Sequence, residues 1–277
     1  MTCLEKMAVF GDQKNLTGVV SIPESQGRIN RKVAVILLNA GLVHRVGPNR
    51  MNVDFGRELS GNGFVTLRFD LSGIGDSTSR TGGMAEAERN VTDISAAMTY
   101  MSSKYGIKKF VLIGLCTGAD NAHKAAVKDP RVSGAVFLDG YRFATWRYYL
   151  RRYAPVLWNP RRLLLSICRR FNTLFSSAKA EEREDAVFGW KLPPKESVAG
   201  DLQLLVDRKV HLFFIFSGSV LRCFDTDEFC AAFKSISFGN YLQVRRFSDS
   251  SHTYSFPEDM RKLTSAVSEW LQEHFSS

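Results

Sequence analysis

Long hydrophobic runs are missing from this chain. The longest, such as Val33 to Leu38, fall far short of the roughly 20 apolar residues that a membrane-spanning helix needs. Met1 to Asn15 mixes Glu5, Lys6, Asp12 and Lys14 with apolar residues, so it has no hydrophobic stretch of the signal-peptide kind. A soluble, unexported, cytoplasmic protein is therefore expected. Cysteine is sparse and unpaired: the five residues, at positions 3, 116, 168, 223 and 230, lack the paired spacing of a zinc site and suit no disulfide framework. They read as reduced thiols, with no metal expected. Internal repeats and low-complexity segments are also absent. Gly73-Ile74-Gly75 lacks the third glycine and the strand-to-helix setting of a dinucleotide fingerprint, so no nucleotide cofactor is expected.

What is present is an alternation of strand-like and helix-like segments. Candidate strands are Leu16 to Ile22, Val33 to Leu38, Phe64 to Phe69, Lys109 to Ile113, Val132 to Leu138, His211 to Phe216 and Tyr241 to Phe247. Between them, Val91, Ile94, Met98, Met101 and Tyr105 recur at steps of three and four, which puts one apolar stripe on a helix. After Pro257 the same spacing returns with Met260, Leu263, Val267 and Trp270. This is the pattern of an α/β domain, a mostly parallel central sheet with helices on both faces. The 277 residues, 44% hydrophobic, suit one large core rather than two. From Tyr141 to about Gly200 the alternation stops, and two short helical patterns flank Trp158-Asn159-Pro160. We expect a helical lid insertion at 141–200, with 1–140 and 201–277 as the core.

Acidic residues are absent from Tyr141 to Arg170, as is lysine, while arginine occurs eight times. Those eight account for all but one of the nine net positive charges. A cationic face this local implies an anionic partner, such as an acidic acyl carrier protein, a coenzyme A ester or, less favoured, a membrane surface. Arg147, Arg151 and Arg152 are the candidate contacts. The structural alternative is a solvated arginine face whose stems cover apolar neighbours. No recognition motif accompanies the arginines, so nucleic acid is not expected.

Chemistry points first to Cys116. It sits in Gly114-Leu115-Cys116-Thr117-Gly118, directly after the apolar run Phe110 to Ile113 and before a helical pattern. That is the layout of a nucleophile elbow with sulfur in the place of the usual serine oxygen. Small residues two positions either side of the nucleophile permit the tight turn. A thiol there faces a helix N-terminus, which favours its thiolate. A buried structural thiol is the competing reading.

Further landmarks resemble those of the α/β-hydrolase superfamily in their expected order. Asn39-Ala40-Gly41-Leu42 looks like the oxyanion loop, Asp70-Leu71-Ser72-Gly73-Ile74-Gly75-Asp76-Ser77 resembles the Asp-x-x-Gly-x-Gly-x-Ser turn, and Ser251-His252-Thr253 holds the place of the late histidine. More narrowly, Asn39-Ala40-Gly41, His44-Arg45-Val46-Gly47-Pro48 and Arg68 to Gly75 are similar to hydrolases associated with bacterial exosortase and exopolysaccharide loci. The resemblance implies an α/β-hydrolase fold with Cys116 as nucleophile and His252 as general base and acid. The backbone N–H groups of Leu42 and Thr117 are the expected oxyanion donors. His44 is a candidate pocket residue or, alternatively, a polar residue fixing its own turn. The chain departs from the family at the acid, whose usual place after the penultimate strand holds Leu221. Asp225 is the first carboxylate after it and Asp227 the second, and either also suits a helix N-terminus. Asp139, ending the strand Val132 to Leu138, is the alternative orienter of His252.

Sulfur shapes the expected reaction. A thiolate attacks activated acyl groups readily, and exchange between two sulfurs is nearly isoenergetic. The primary expectation is therefore a thioesterase or acyltransferase that forms acyl-Cys116 from a carrier-protein or coenzyme A thioester. Cysteine-centred elbows resemble those of dienelactone hydrolases and polyhydroxyalkanoate synthases, one a hydrolase and the other a transferase, so the motif does not choose between them. Alternatives are an ester or lactone hydrolase of free small molecules or a silent ligand-binding member of the fold.

Overall fold

The computed structural model describes residues 3–24, 29–80, 82–141, 193–219 and 226–276. Its frame is an eight-stranded sheet. In chain order the strands are β1 (Cys3–Phe10), β2 (Leu16–Pro23), β3 (Asn30–Leu37), β4 (Phe64–Phe69), β5 (Lys109–Leu115), β6 (Val132–Leu138), β7 (His211–Ser217) and β8 (Leu242–Phe247). They lie side by side as β1-β2-β4-β3-β5-β6-β7-β8. β2 is antiparallel to both β1 and β4, and every other pairing is parallel. The helices are α1 (Met51–Gly61), α2 (Glu86–Tyr105), α3 (Thr117–Lys128), α4 (Lys195–Asp207), α5 (Thr226–Ala232) and α6 (Pro257–Phe275).

The central strands read as continuous apolar runs because helices cover both sheet faces. Their two-residue period sorts them between two cores. Ala34 and Ile36 of β3 and Phe110 and Leu112 of β5 face α2, α3 and α4, packing with Ile94, Met98, Ala122, Ala126 and Leu202. Val33, Val35 and Leu37, with Val111, Ile113 and Leu115, face α1 and α6, packing with Phe55, Leu59, Leu263, Val267 and Trp270. The alanines of α3 leave that helix close to the sheet, so the chain leaving β5 turns sharply into it.

Six of the seven expected strands begin or end within a residue or two of the observed ones, and β3 starts three residues early, at Asn30. β1 escaped the hydrophobic pattern: it is an edge strand carrying Glu5 and Lys6, with Met7 and Val9 exposed, so only part of its apolar content is buried. Most of the span 141–200 expected as a lid lies outside the described residues. Within it, Tyr141 is buried, and α4 begins at Lys195 and buries Val198 in the larger core. Among the described residues, no helix is long and apolar enough to cross a membrane. The strand order, with β2 reversed and a helix following each of β3 to β8 that leads onward, is that of the α/β-hydrolase fold, as the sequence led us to expect.

Candidate active site

The turn from β5 into α3 holds Cys116 at φ 56°, ψ −117°, a conformation that costs a non-glycine residue about 1–3 kcal/mol. Two glycines make the turn possible. A Cβ on Gly114 would stand 2.2 Å from the backbone of Gly118, and one on Gly118 would stand 2.5 Å from the Asn39 carbonyl. The Cys116 N–H donates to the Leu138 carbonyl at 2.9 Å, while its own carbonyl accepts from Ala119 and Asp120. These bonds hold the half-buried sulfur at the N-terminus of α3, at the C-terminal edge of the sheet.

His252 arrives from the loop between β8 and α6. Gly218, just past β7, lets that loop approach: its N–H donates to the Ser250 carbonyl at 2.9 Å, and a Cβ there would lie 2.0 Å from the Ser248 carbonyl oxygen. From the other side, Asn49 Nδ2 donates to the Thr253 carbonyl at 3.1 Å and to Ser255 Oγ at 3.3 Å. Asn49 and Arg50 both take left-handed backbone, with φ 49° and 65°, and this pair turns the Asn49 amide toward the histidine loop.

The carboxylate that meets His252 is Asp139, directly after β6. Its Oδ2 lies 2.6 Å from His252 Nδ1. Ser217 completes the setting: its N–H donates to Asp139 Oδ1 and its hydroxyl to Oδ2, both at 2.7 Å. The Asp139 side chain is fully buried, so these donors replace the water it has lost. The hydrogen bond that His252 donates to Asp139, reinforced by Cys116 and opposed by burial, pushes the His252 imidazole up to about 9. The proton is thus favoured on the ring, and the sulfur beside it faces a cation.

Of the carboxylates expected near His252, Asp225 lies outside the described residues. Asp227 is exposed in the first turn of α5, where it complements the helix dipole. Asp139, the alternative orienter, stands against the histidine. The preference for Asp225 followed the usual place of the acid after the penultimate strand. Here β7 ends in Ser217, which binds the carboxylate supplied by its neighbour β6. The available signal was a strand ending in Asp139-Gly140 beside the elbow strand.

The loop 39–42, expected to supply an oxyanion donor, lies against the elbow, as the Asn39 carbonyl does against Gly118. Leu42 is 87% exposed on the tip of the turn closed by the Val43 N–H and Ala40 carbonyl. It is the Gly41 N–H that reaches the elbow, donating to Thr117 Oγ1 at 2.6 Å. His44 belongs to a charged cluster beneath this loop. Arg45 Nη1 lies 2.5 Å from Asp70 Oδ2, 2.7 Å from Asp76 Oδ2 and 2.7 Å from His44 Nε2. Buried Asp70 also accepts from Asn39 Nδ2 and the Arg45 N–H, tying the oxyanion loop to the Asp70–Ser77 turn. The Arg45 hydrogen bond holds the Asp76 carboxyl below the usual carboxylate range. His44, Asp70 and Asp76 place ligand atoms within 4.8 Å of one another, but the Arg45 guanidinium already supplies the cation there. Arg147, Arg151 and Arg152 lie outside the described residues.

Comparison with solved structures gives the fold independent support. An esterase of Pyrococcus furiosus aligns with a TM-score of 0.62 at 18% identity, covering 99% of this chain and 92% of that one. An a/b serine hydrolase without lid from Xanthomonas campestris aligns at 0.58 and 13%, covering 99% and 96%. An alpha-beta serine hydrolase homologue from Coxiella burnetii aligns at 0.58 and 15%, covering 98% of each chain. No curated protein matched by sequence. The profile of the Hydrolase_4 family, described as serine aminopeptidase, S33, matches residues 31–185, and the chain therefore belongs to this family of α/β-fold hydrolases.

Proposed function

We propose that this hydrolase cleaves acyl esters through a covalent acyl-Cys116 intermediate, with His252 as proton carrier and Asp139 as its orienting carboxylate. The observation that carries the proposal is the 2.6 Å contact between Asp139 Oδ2 and His252 Nδ1, on a ring that Cys116 also helps to keep protonated. Asp139 fixes the Nδ1–H tautomer, which aims the other ring nitrogen at the sulfur. The Cys116 proton already rests on that nitrogen in the thiolate–imidazolium pair, and the thiolate attacks the acyl carbon. The C–S bond forms, the carbonyl π pair moves to oxygen, and collapse breaks the C–O bond as His252 gives its proton to the departing alcohol. Water then attacks the thioester, His252 takes a proton from it, and breaking the C–S bond restores Cys116. The exposed apolar side chains of Leu42 and Val43 in the oxyanion loop and Phe256 after the histidine loop support an acyl chain rather than a charged peptide as the group bound there.

A second reading, acyl transfer from a coenzyme A or carrier-protein thioester, is favoured by the sulfur nucleophile. An acyl-sulfur enzyme costs little to form from a thioester and survives until an acceptor arrives. The eight arginines between Tyr141 and Arg170 support an anionic carrier, with Arg147, Arg151 and Arg152 as contacts.

Intact-protein mass spectrometry after mixing with p-nitrophenyl butyrate or butyryl-coenzyme A separates these readings. One added butyryl group on the native protein and none on Cys116→Ala is the expected result. Ester turnover without thioester preference supports the hydrolase. Persistence of the thioester-derived adduct until an amine or thiol is added supports transfer. An adduct that survives in Cys116→Ala sinks both.

A further inference from the structure

The oxyanion hole of this chain has an unusual member. At the N-terminus of α3 the amides of Ala119 and Asp120 are engaged by the Cys116 carbonyl, whereas the Thr117 N–H, in the first turn of the helix, is one of those a helix start leaves without an intrahelical acceptor. A second donor is needed from the oxyanion loop, where the Gly41 N–H faces the elbow. That N–H is already bonded to Thr117 Oγ1 at 2.6 Å. Gly41 reaches this geometry with φ 57°, and a Cβ there would meet nothing within 4 Å. Its glycine is thus suited to the backbone conformation rather than to crowding.

A hydroxyl accepts and donates at once. With one lone pair of Thr117 Oγ1 occupied by Gly41, its proton is left for another acceptor, and accepting a bond strengthens the one it gives. Among the described residues, Thr117 Oγ1 has no other hydrogen-bond partner. We infer that Thr117 is a catalytic residue supplying two donors to the oxyanion, its backbone N–H and its hydroxyl, with the Gly41 N–H acting through that hydroxyl. No atom is transferred in this step: as the Cys116 sulfur bonds to the acyl carbon and the π pair moves to oxygen, the Thr117 O–H points at the new charge and retains its proton. The inference rests on the acyl-Cys116 reading above.

The test is steady-state and stopped-flow acylation of the full chain by p-nitrophenyl butyrate in Thr117→Val, Thr117→Ser and Thr117→Ala. Alkylation of Cys116 by iodoacetamide, a reaction without an oxyanion, runs alongside as a control for fold and thiolate. Thr117→Val is expected to lower kcat about a hundredfold, the usual scale for one lost oxyanion donor, with KM and alkylation little changed. Thr117→Ser should recover most of the loss. Native rates in Thr117→Val, or faster acylation in Thr117→Ala because the hydroxyl had merely plugged the Gly41 amide, would overturn the inference and leave the acyl-Cys116 reading intact. A native protein that is alkylated normally yet never acylated overturns both.

Discussion

Cys116, Asp139 and Tyr254 all hold left-handed backbone, with φ 56°, 48° and 50°, and all three stand at or next to the proposed catalytic relay. Such conformations cost on the order of 1–3 kcal/mol each. At Asp139 the cost is offset by three donors on one buried carboxylate. Tyr254 adds a further cost: its hydroxyl is buried without a partner, and burial, then the nearby Asp139 charge, pushes the phenol well above its ordinary value. Asp139→Asn keeps the side chain's shape but removes its charge and an acceptor. Titration of the His252 ring protons by NMR is expected to show its pKa falling from about 9 toward 6.5, with kcat lowered on the order of a thousandfold; an unmoved titration would remove Asp139 from the relay. At this scale the sequence was legible where chemistry dictates local spacing. The Gly-x-Cys-x-Gly turn and the late His252 could be placed because steric and order constraints leave few options. The carboxylate was less legible, since a histidine accepts an orienting partner from either neighbouring strand, and only sheet geometry selects Asp139.

The elements show how a histidine on a long loop is held in place. Its loop is pinned from β7 by Gly218 and from the segment before α1 by Asn49, more than two hundred residues away in the chain. Asn49→Gly preserves the left-handed backbone and deletes both side-chain hydrogen bonds. Hydrogen exchange at Thr253 to Ser255 should quicken, and kcat should fall about tenfold with the Tm shifted by only a few degrees; exchange at the native rate would show that the bridge does not hold the loop. Strands and helices with strong periodicity were legible in advance, as in Met260, Leu263, Val267 and Trp270 of α6. β1 was not, because an edge strand buries only part of one face and its alternation is diluted by charge. The Asn49 bridge had no local signature at all, being a contact between segments that only the folded sheet brings together.

For the molecule as a whole, two histidines shape stability against pH in opposite directions. His123 is buried in α3 against Phe137 and Tyr141, and burial pushes it down to about 4. Asp201 lies 3.8 Å away, but a ring this hard to charge is neutral near pH 7, so the contact is no ion pair there. The unfolded chain protonates His123 near 6.5 and the folded chain does not, so stability declines as pH falls from about 6.5 toward 4. His252 is raised, so its contribution is full below about 6.5 and is lost as pH rises through about 9. Its side chain is 40% exposed, which tempers the size of this second effect. Thermal melts are therefore expected to flatten on the acid side in His123→Leu and on the alkaline side in His252→Ala. Unchanged pH profiles in both variants would refute the assignment.

The placement of Asp139 on β6 also bears on how freely the rest of the rim can vary. With the histidine's partner supplied from inside the sheet, the connection that leaves β7 beyond Gly218 is relieved of proton transfer. Exchanges of sequence after Gly218 are therefore expected to leave the spacing of imidazole and carboxylate, set by β6 and the loop after β8, unchanged.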